Sequence, residues 1–315
     1  MQIRKNQKYS IHIECTDFKD KTLNDKGSDF EFTGAELIHA IITCGVINPF
    51  CETGVEFKYK KYALECQFEE KKDGLYLSNE YQYYDQSEKN CLSYYRGMIF
   101  GRLIADKKFD LVCFVHLGNY KKDPQNQVIF NQTKQRKKRK KRKQYVPDII
   151  GWNSQKEYCV WECKGYRSGL SHGKVQKRSV ASVNGKIPTM NIVSAVYPTD
   201  VKKKIYAHVN DLEIYGEEID FDINKALEDY YTPVFHILSS SYSKYRDNKM
   251  QYGRVKIDDE EYIFGLPNSI YEYLIMKNQN RLSTNKISLE NIVNEFSPKQ
   301  VDGFENMFGD YIYIK

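Results

Sequence analysis

The sequence has no apolar run that approaches the roughly 20 residues with which a helix crosses a bilayer. Its first five residues lead into a polar stretch, so we expect no secretory signal and no membrane attachment. The eight cysteines include no Cys-x-x-Cys pair and the six histidines have no metal-binding spacing, which argues against zinc. These absences favour a protein of the cytoplasm with reduced thiols.

Basic charge is concentrated in one segment. Without the run from Lys134 to Lys143, 39 basic residues face 42 acidic ones, and the net charge of +6 becomes about −3. Because its charges repel, the run is expected to be a solvated loop or a strip that meets nucleic-acid phosphates. A nuclear-localisation signal is the alternative. The nine candidate phosphate contacts are Lys134, Arg136, Lys137, Lys138, Arg139, Lys140, Lys141, Arg142 and Lys143.

The stretch from Val146 to Gly165 predicts a β-hairpin. Two runs rich in Val, Ile, Trp, Tyr and Cys, 146–152 and 157–165, flank the polar cluster 153–156. A turn centred near residue 155 sets three cross-strand pairs: Trp152 with Tyr158, Ile150 with Val160, and Asp148 with Glu162. Since side chains alternate between the faces of a strand, Asp148, Glu162 and Lys164 are predicted to share one face.

This arrangement suits metal-assisted cleavage of a phosphodiester. Directly opposed carboxylates lie roughly 5 Å apart at Cβ and repel each other unless a charge compensates. Mg²⁺ binds a few carboxylate oxygens and keeps its other positions for water and phosphate. Lys164 could then contact the attacking water or the scissile phosphate.

The alternative is an ion-paired strand end, in which Lys164 neutralises Glu162 and Asp148 closes a turn after Pro147. The composition predicts that both strands are buried on both faces. Charges entering such a hairpin are costly without a partner or a function, which favours the chemical interpretation.

Pro147-Asp148, the thirteen-residue spacer and Glu162-Cys163-Lys164 resemble the signature of the PD-(D/E)XK nuclease superfamily, the restriction-endonuclease-like fold. The resemblance covers roughly residues 92 to 198. It implies that Asp148 and Glu162 are ligands of Mg²⁺, with Mn²⁺ as a substitute, and that Lys164 positions or activates the nucleophilic water. It also implies a polar catalytic residue on the following helix, for which Gln176 and Lys174 are candidates.

The same resemblance raises the question of a further acidic residue on the helix before the hairpin, which many members carry. Here that helix offers Asp106 near its end, and Glu88 lies just upstream.

The predicted order of elements favours an α/β fold: a restriction-endonuclease-like mixed central sheet flanked by helices, with additional N- and C-terminal α+β regions. From residue 92 the pattern predicts helix 92–107, strand 111–117, the hairpin, helix 174–184 and strand 190–197. Gly97 and Gly101 would let the first helix approach the sheet closely. The expected domains are 1–91, 92–199 with the basic loop 131–145, and 200–315.

Other elements are predicted in the flanking regions. Thr33 and Glu36 form a capping box at a helix start, so Glu36 is taken as a cap and not as a catalytic residue. The remaining expectations are short strands and turns over 58–84, helix 223–238 kinked or split at Pro233, helix 268–276, and strands 261–266 and 311–314. Residues 242–254 interleave tyrosines with basic residues, which is typical either of a nucleic-acid surface or of a lysine- and tyrosine-rich composition.

The glycine-rich segment 169–174 superficially resembles a phosphate-binding loop. It has three residues between its glycines instead of four, and Val175 stands where Ser or Thr would hold Mg²⁺, so nucleotide hydrolysis is rejected. Its backbone amides, with Lys174, Lys177 and Arg178, could instead hold a DNA phosphate at a helix start.

The favoured function is therefore a Mg²⁺-dependent nuclease, acting on DNA in preference to RNA, as an endonuclease of bacterial or phage restriction or defence. The alternative is a catalytically inactive nucleic-acid-binding subunit of a larger complex. A homodimer and a partner subunit are both compatible with the sequence.

Overall fold

The computed structural model describes residues 1–44, 53–117, 129–131, 147–153, 155–171, 180–211, 217–257, 260–279, 288–295, 310 and 312–315. The chain forms two compact units. The first comprises residues 1–46 and 59–221, and the second comprises 47–58 and 222–315.

A mixed β-sheet flanked by helices is the centre of the first unit. In the described part of the chain it has seven strands, in the order β2-β1-β11-β10-β8-β7-β5. These are β1 (Lys8–Thr16), β2 (Asp25–Thr33), β5 (Leu111–His116), β7 (Ile149–Asn153), β8 (Tyr158–Lys164), β10 (Met190–Pro198) and β11 (Ile205–Asp211). Two neighbouring pairs, β8 with β10 and β1 with β11, are parallel, and the other pairs are antiparallel. The sheet thus takes strands from all three regions that the sequence predicts as separate.

Shorter elements complete the first unit. The strands are β3 (Phe68–Lys71), β4 (Gly74–Leu77), β6 (Ile129–Asn131), β9 (Val180–Val183) and β12 (Glu217–Asp220). The helices are α1 (Gly34–Thr43), α2 (Thr53–Glu65), of which residues from 59 onward belong to this unit, and α3 (Gln86–Phe109). None of the described helices has both the length and the apolar character to cross a membrane.

The hairpin β7–β8 has the predicted register. Trp152 pairs with Tyr158 and Ile150 with Val160. Six of the seven residues of β8 are buried, including Trp161, whose indole nitrogen donates to the Ser194 hydroxyl at 2.7 Å. Burial on both faces, with the one buried indole N–H satisfied, explains why this stretch consists of Val, Ile, Trp and Cys.

Helix α3 packs directly against the end of β8. Asp85 and Glu88 form a capping box at its start, and Asp110 ends it in the left-handed conformation. A methyl group at Gly97 would lie 2.6 Å from the Lys164 carbonyl carbon, and one at Gly101 would lie 2.6 Å from the Cys163 sulphur. Because only glycine leaves this space, the predicted close approach of helix to sheet is confirmed.

The second unit combines helices with a small antiparallel sheet. Its elements are α4 (Ile223–Ser240), β13 (Ser243–Arg246), β14 (Met250–Ile257), β15 (Glu260–Pro267), α5 (Asn268–Asn278), α6 (Leu289–Glu295) and β16 (Tyr313–Ile314). The predicted strands and helices of this region are present. Pro233 does not split α4, which continues to Ser240 with the proline ring buried.

Two predicted elements are wrong. Residues 58–65 continue α2 instead of forming strands; Lys61 pairs with Glu65 one turn later, at 2.8 Å. The helix predicted over 174–184 does not include its last residues, because Val180–Val183 form β9, which pairs with β12. Val180 and Val183 are fully buried there, so the tertiary packing of their β-branched side chains favours a strand over a helix. By contrast, the capping box at α1 and the turn at Gly74 are confirmed.

We expect Gly97→Ala to lower the free energy of unfolding by roughly 1–2 kcal/mol, because overpacking outweighs the better helix propensity of alanine. Chemical denaturation of the variant and the parent measures this. The matched control is Asn90→Ala at an exposed position of the same helix, for which a change within about 0.5 kcal/mol is expected. Equal stability of Gly97→Ala and the parent would contradict the close packing of α3.

Candidate active site

The structure brings Asp148, Glu162 and Lys164 into contact at the point where β7 begins and β8 ends. The Asp148 backbone amide donates to Glu162 Oε2 at 3.0 Å, and the Cys163 amide donates to Asp148 Oδ2 at 3.0 Å. Lys164 Nζ donates to Glu162 Oε1 and lies 4.0 Å from Asp148 Oδ2. Backbone amides thus hold both carboxylates: the Asp148 amide binds Glu162, and the Cys163 amide binds Asp148.

The three side chains differ in their access to solvent. The Glu162 side chain is 0% exposed, that of Lys164 is 13% exposed and that of Asp148 is 26% exposed. Glu162 therefore lies beneath the other two, and only Asp148 and Lys164 are exposed to solvent. This layering follows from position: Glu162 lies within β8, whereas Asp148 precedes β7 and Lys164 is the last residue of its strand.

The pKa of Glu162 is raised to about 8, mainly by burial and also by the neighbouring charge of Asp148, while Lys164 acts in the opposite direction. Burial therefore favours the protonated form of Glu162, and a cation beside it would favour the carboxylate.

Lys164 is a cation in this arrangement. Burial lowers its pKa, but the charges of Glu162 and Asp148 outweigh burial, and the pKa is raised. A lysine with a raised pKa holds its proton at neutral pH. It can therefore donate to a water molecule or a phosphate oxygen, and it is not a base.

An open cleft of about 790 Å³ adjoins these residues. Asp148, Cys163 and Lys164 form one part of its lining, and α3 and the loop after β8 form most of the rest. Gly169 lets that loop pack against the stem of Lys164, since a methyl group there would lie 2.7 Å from the Lys164 Cβ. The site is thus open to a ligand through the cleft, and the loop around Gly169 packs against the Lys164 side chain.

Neither acidic candidate upstream of the hairpin belongs to this cluster. Glu88 closes the capping box of α3 by accepting from the Asp85 amide at 2.8 Å. Asp106 lies 3.4 Å from His39 Nδ1 and 3.7 Å from Arg102 Nη1, in a buried charge cluster. It is nine residues beyond Gly97, about 13 Å along the helix axis from the contact with Lys164. Each carboxylate has a structural role of its own.

Several residues around the site were not predicted from the sequence. Arg96 is 2% exposed and donates to the carbonyls of Val196, at 3.1 Å, and Gly165, at 2.6 Å, so it fixes α3, β10 and the residue after Lys164 together. His116, on the strand beside β7, has a pKa lowered by burial, while the Asp148 charge acts in the opposite direction. It is a neutral imidazole near the cluster. Tyr94 of α3 lines the cleft.

The donor set fits Mg²⁺ better than it fits a metal that needs three or four protein ligands. No group of three or more His, Cys, Asp or Glu side chains that could hold an ion occurs in the described part of the chain. Two carboxylates are sufficient for Mg²⁺, which keeps several positions for water and phosphate. One oxygen of Asp148 accepts from the Cys163 amide, and the other is directed to no hydrogen-bond donor among the described residues.

Several predicted site residues lie outside the described residues. These are Gln176 on the predicted following helix, the phosphate contacts Lys174, Lys177 and Arg178, and the whole basic run from Lys134 to Lys143.

Comparison with known proteins gives no match: no family model, no curated protein and no solved structure corresponds to this chain.

Metal binding is open to a test that does not depend on activity. Glu162 has a raised pKa in the folded state, so its contribution to stability is present below about pH 4.5 and is lost as the pH rises through about 8. We expect Mg²⁺ to raise the thermal unfolding midpoint more at about pH 9 than at about pH 5, because the ion binds the deprotonated form. At a hundredfold excess over Kd the stabilisation is about 2.7 kcal/mol.

Glu162→Gln should abolish the Mg²⁺-dependent shift and weaken the pH dependence. Glu157→Gln, the same chemical change at an exposed position of the same hairpin, should retain both. An equal Mg²⁺ effect in the two variants would mean that the ion binds elsewhere.

Proposed function

We propose that this chain is a Mg²⁺-dependent nuclease that hydrolyses phosphodiester bonds of DNA, with a restriction-endonuclease-like fold in its first unit. The observation that carries the proposal is the fully buried Glu162 carboxylate, placed under Asp148 and Lys164 at the edge of an open cleft. Lys164 does pair with Glu162, as in the alternative of an ion-paired strand end, but this pair is buried, whereas exposed ion pairs cost little. A buried carboxylate beside a second carboxylate is costly and suits a site that binds a cation.

The arrangement of the sheet supports the same proposal. The chain passes from α3 through β5 and the hairpin β7–β8 to β10, which lies parallel to β8. Apart from the helix predicted between β8 and β10, this order agrees with the one expected from the resemblance to the PD-(D/E)XK superfamily. Asp148 lies just before the start of β7, and Glu162 and Lys164 lie at the end of β8.

In the proposed reaction each residue has a separate task. Asp148 and Glu162 would hold Mg²⁺, which when bound acidifies a water molecule and offsets charge on the phosphate. Lys164, protonated because of its two anionic neighbours, donates to the attacking water or to a phosphate oxygen and stabilises the charge that develops there. The backbone donors of Asp148 and Cys163 hold the two carboxylates in place, and this limits their reorganisation during the reaction.

Polyanionic DNA as the substrate is supported by charge. Nine basic residues precede the hairpin directly in sequence, and without them the chain would be slightly acidic. Contacts from such a run bind the phosphate backbone and carry no sequence information. We place the protein in the cytoplasm, in a role such as restriction or defence. Its seven described cysteines are free thiols.

Cleavage assays test the proposed activity. With Mg²⁺ we expect the chain to cut DNA, and with EDTA we expect no cutting. Lys164→Met and Glu162→Gln should each lower the rate roughly 10²- to 10⁴-fold, because each removes stabilisation of the charged transition state. Glu157→Gln is the matched control and should cut at the parental rate.

Equal cutting by the parent, Lys164→Met and Glu162→Gln would refute the assigned site. Salt-sensitive DNA binding without any cutting would favour the alternative, a catalytically inactive nucleic-acid-binding subunit.

The role of the basic run has a separate test. Replacing its nine Lys and Arg residues with serine should weaken DNA binding and flatten the dependence of log K on log salt, by about 0.9 for each phosphate that is no longer neutralised. Fluorescence anisotropy with a labelled duplex at several salt concentrations measures the slope. An unchanged slope would show that these residues do not bind phosphates.

A further inference from the structure

Tyrosine side chains surround the cleft beside Lys164. Four of the lining residues are tyrosines: Tyr81, Tyr94, Tyr166 and Tyr197. Two of them expose a large part of their surface, Tyr94 by 43% and Tyr166 by 45%. Tyr94 belongs to α3, whose Gly97, one turn further on, lies against Lys164, and Tyr166 follows Lys164 by two residues. Exposed aromatic rings are therefore held on two different elements next to the proposed reaction centre.

The same cleft carries positive charge. Lys89, Arg96, Lys164 and Arg167 line it, against Asp148 and Asp200. Arg167 and Asp200 form a pair at 3.5 Å, but both side chains are more than 70% exposed, so the pair is weak. Arg96 is buried and donates to carbonyl and amide oxygens, and it forms no ion pair with a carboxylate in the part of the chain that the structure describes. Its charge therefore favours an anion in the cleft.

We propose that the cleft receives an unpaired nucleotide, whose base stacks on Tyr94 or Tyr166 while its phosphate lies at Lys164 and Asp148. The preferred substrate is then single-stranded DNA, or a duplex with an unpaired segment such as a flap, a bubble or a frayed end. This inference rests on the proposed nuclease function and specifies its substrate.

The volume of the cleft is sufficient for one or two nucleotides. Its volume of about 790 Å³ lies within the range of pockets that enclose a small ligand, about 300–1,000 Å³. A base inside a duplex is stacked on both faces and cannot offer a face to a tyrosine unless it leaves the helix. Every unpaired base can stack, so tyrosines beside a cationic groove bind single strands without sequence preference.

The cleft also continues beyond the site. A second depression of about 870 Å³ shares Arg167 and Tyr197 with it and extends to Lys202 and Tyr206. Nucleotides next to the reacting phosphate could extend from the cleft into this second depression.

Binding in EDTA tests the inference without cleavage. The probes are a short DNA single strand containing 2-aminopurine and the same sequence as a blunt duplex. We expect the parent to bind the single strand more tightly and to quench its fluorescence by stacking. The double variant Tyr94→Ala/Tyr166→Ala should bind the single strand at least about tenfold more weakly and lose the quenching.

Two controls separate stacking from misfolding. Tyr94→Phe/Tyr166→Phe keeps both rings and should bind like the parent. Tyr83→Ala removes an 82% exposed tyrosine that does not line the cleft and should have no effect. Tighter binding of the blunt duplex than of the single strand, or parental binding by the double alanine variant, would overturn the inference.

The outcome is independent of the test of catalysis. Cleavage that requires Glu162 and Lys164 but is faster on blunt duplex would refute the unpaired substrate and leave the nuclease in place. Tyrosine-dependent binding of single strands without cleavage in Mg²⁺ would refute the nuclease function and leave the binding of unpaired nucleotides in place.

Discussion

The structure of the first unit depends on how it accommodates one buried carboxyl group, that of Glu162. Glu162 is fully enclosed, and the penalty for an unpaired ion in such a place is several kcal/mol. The Asp148 amide and the Lys164 ammonium each satisfy one of its oxygens. The start of β7, the end of β8 and the position of Lys164 are thereby coupled, because moving any of them exposes or orphans this carboxylate. The pKa of Glu162 is high mainly because the group is buried, and the neighbouring charge of Asp148 adds to this effect.

Packing of α3 against the hairpin provides the support that this cluster requires. Gly97 and Gly101 bring the helix backbone to the residues around Glu162, and Arg96 ties the helix to the carbonyls of Val196 and Gly165. The same helix presents Tyr94 to the cleft. Helix α3 thus both stabilises the cluster around Glu162 and forms part of the wall of the cleft. A change that shifts α3 alters the position of the lysine as well as the wall of the cleft.

The parts of this site that could be predicted from sequence are those governed by local rules. The hairpin register follows from alternation and a polar turn, and it correctly places Asp148 opposite Glu162 with Lys164 beside them. Glycine spacing correctly predicts the close approach of α3. The burial of Arg96 is not predictable in this way, since its partners are carbonyls from distant strands. Val180–Val183 are predicted as helix because their pairing strand, β12, lies far away in sequence. Tyr94 offered a usable signal, because it lies one turn before Gly97 and so shares the face that meets the hairpin.

Because Lys164 neutralises Glu162 in this structure, the proposed catalysis would require a particular order of events. In the arrangement observed, the ammonium is bound to the carboxylate on which the proposed Mg²⁺ would act. Mg²⁺ held by Asp148 and Glu162 would supply the positive charge that Lys164 supplies in this structure, and Lys164 could then donate toward the cleft. Metal binding would then also free the Lys164 ammonium, because the ion and the lysine would neutralise the same Glu162 carboxylate. A substrate phosphate at Lys164 would strengthen that exchange, because it supplies the anion that the freed ammonium requires.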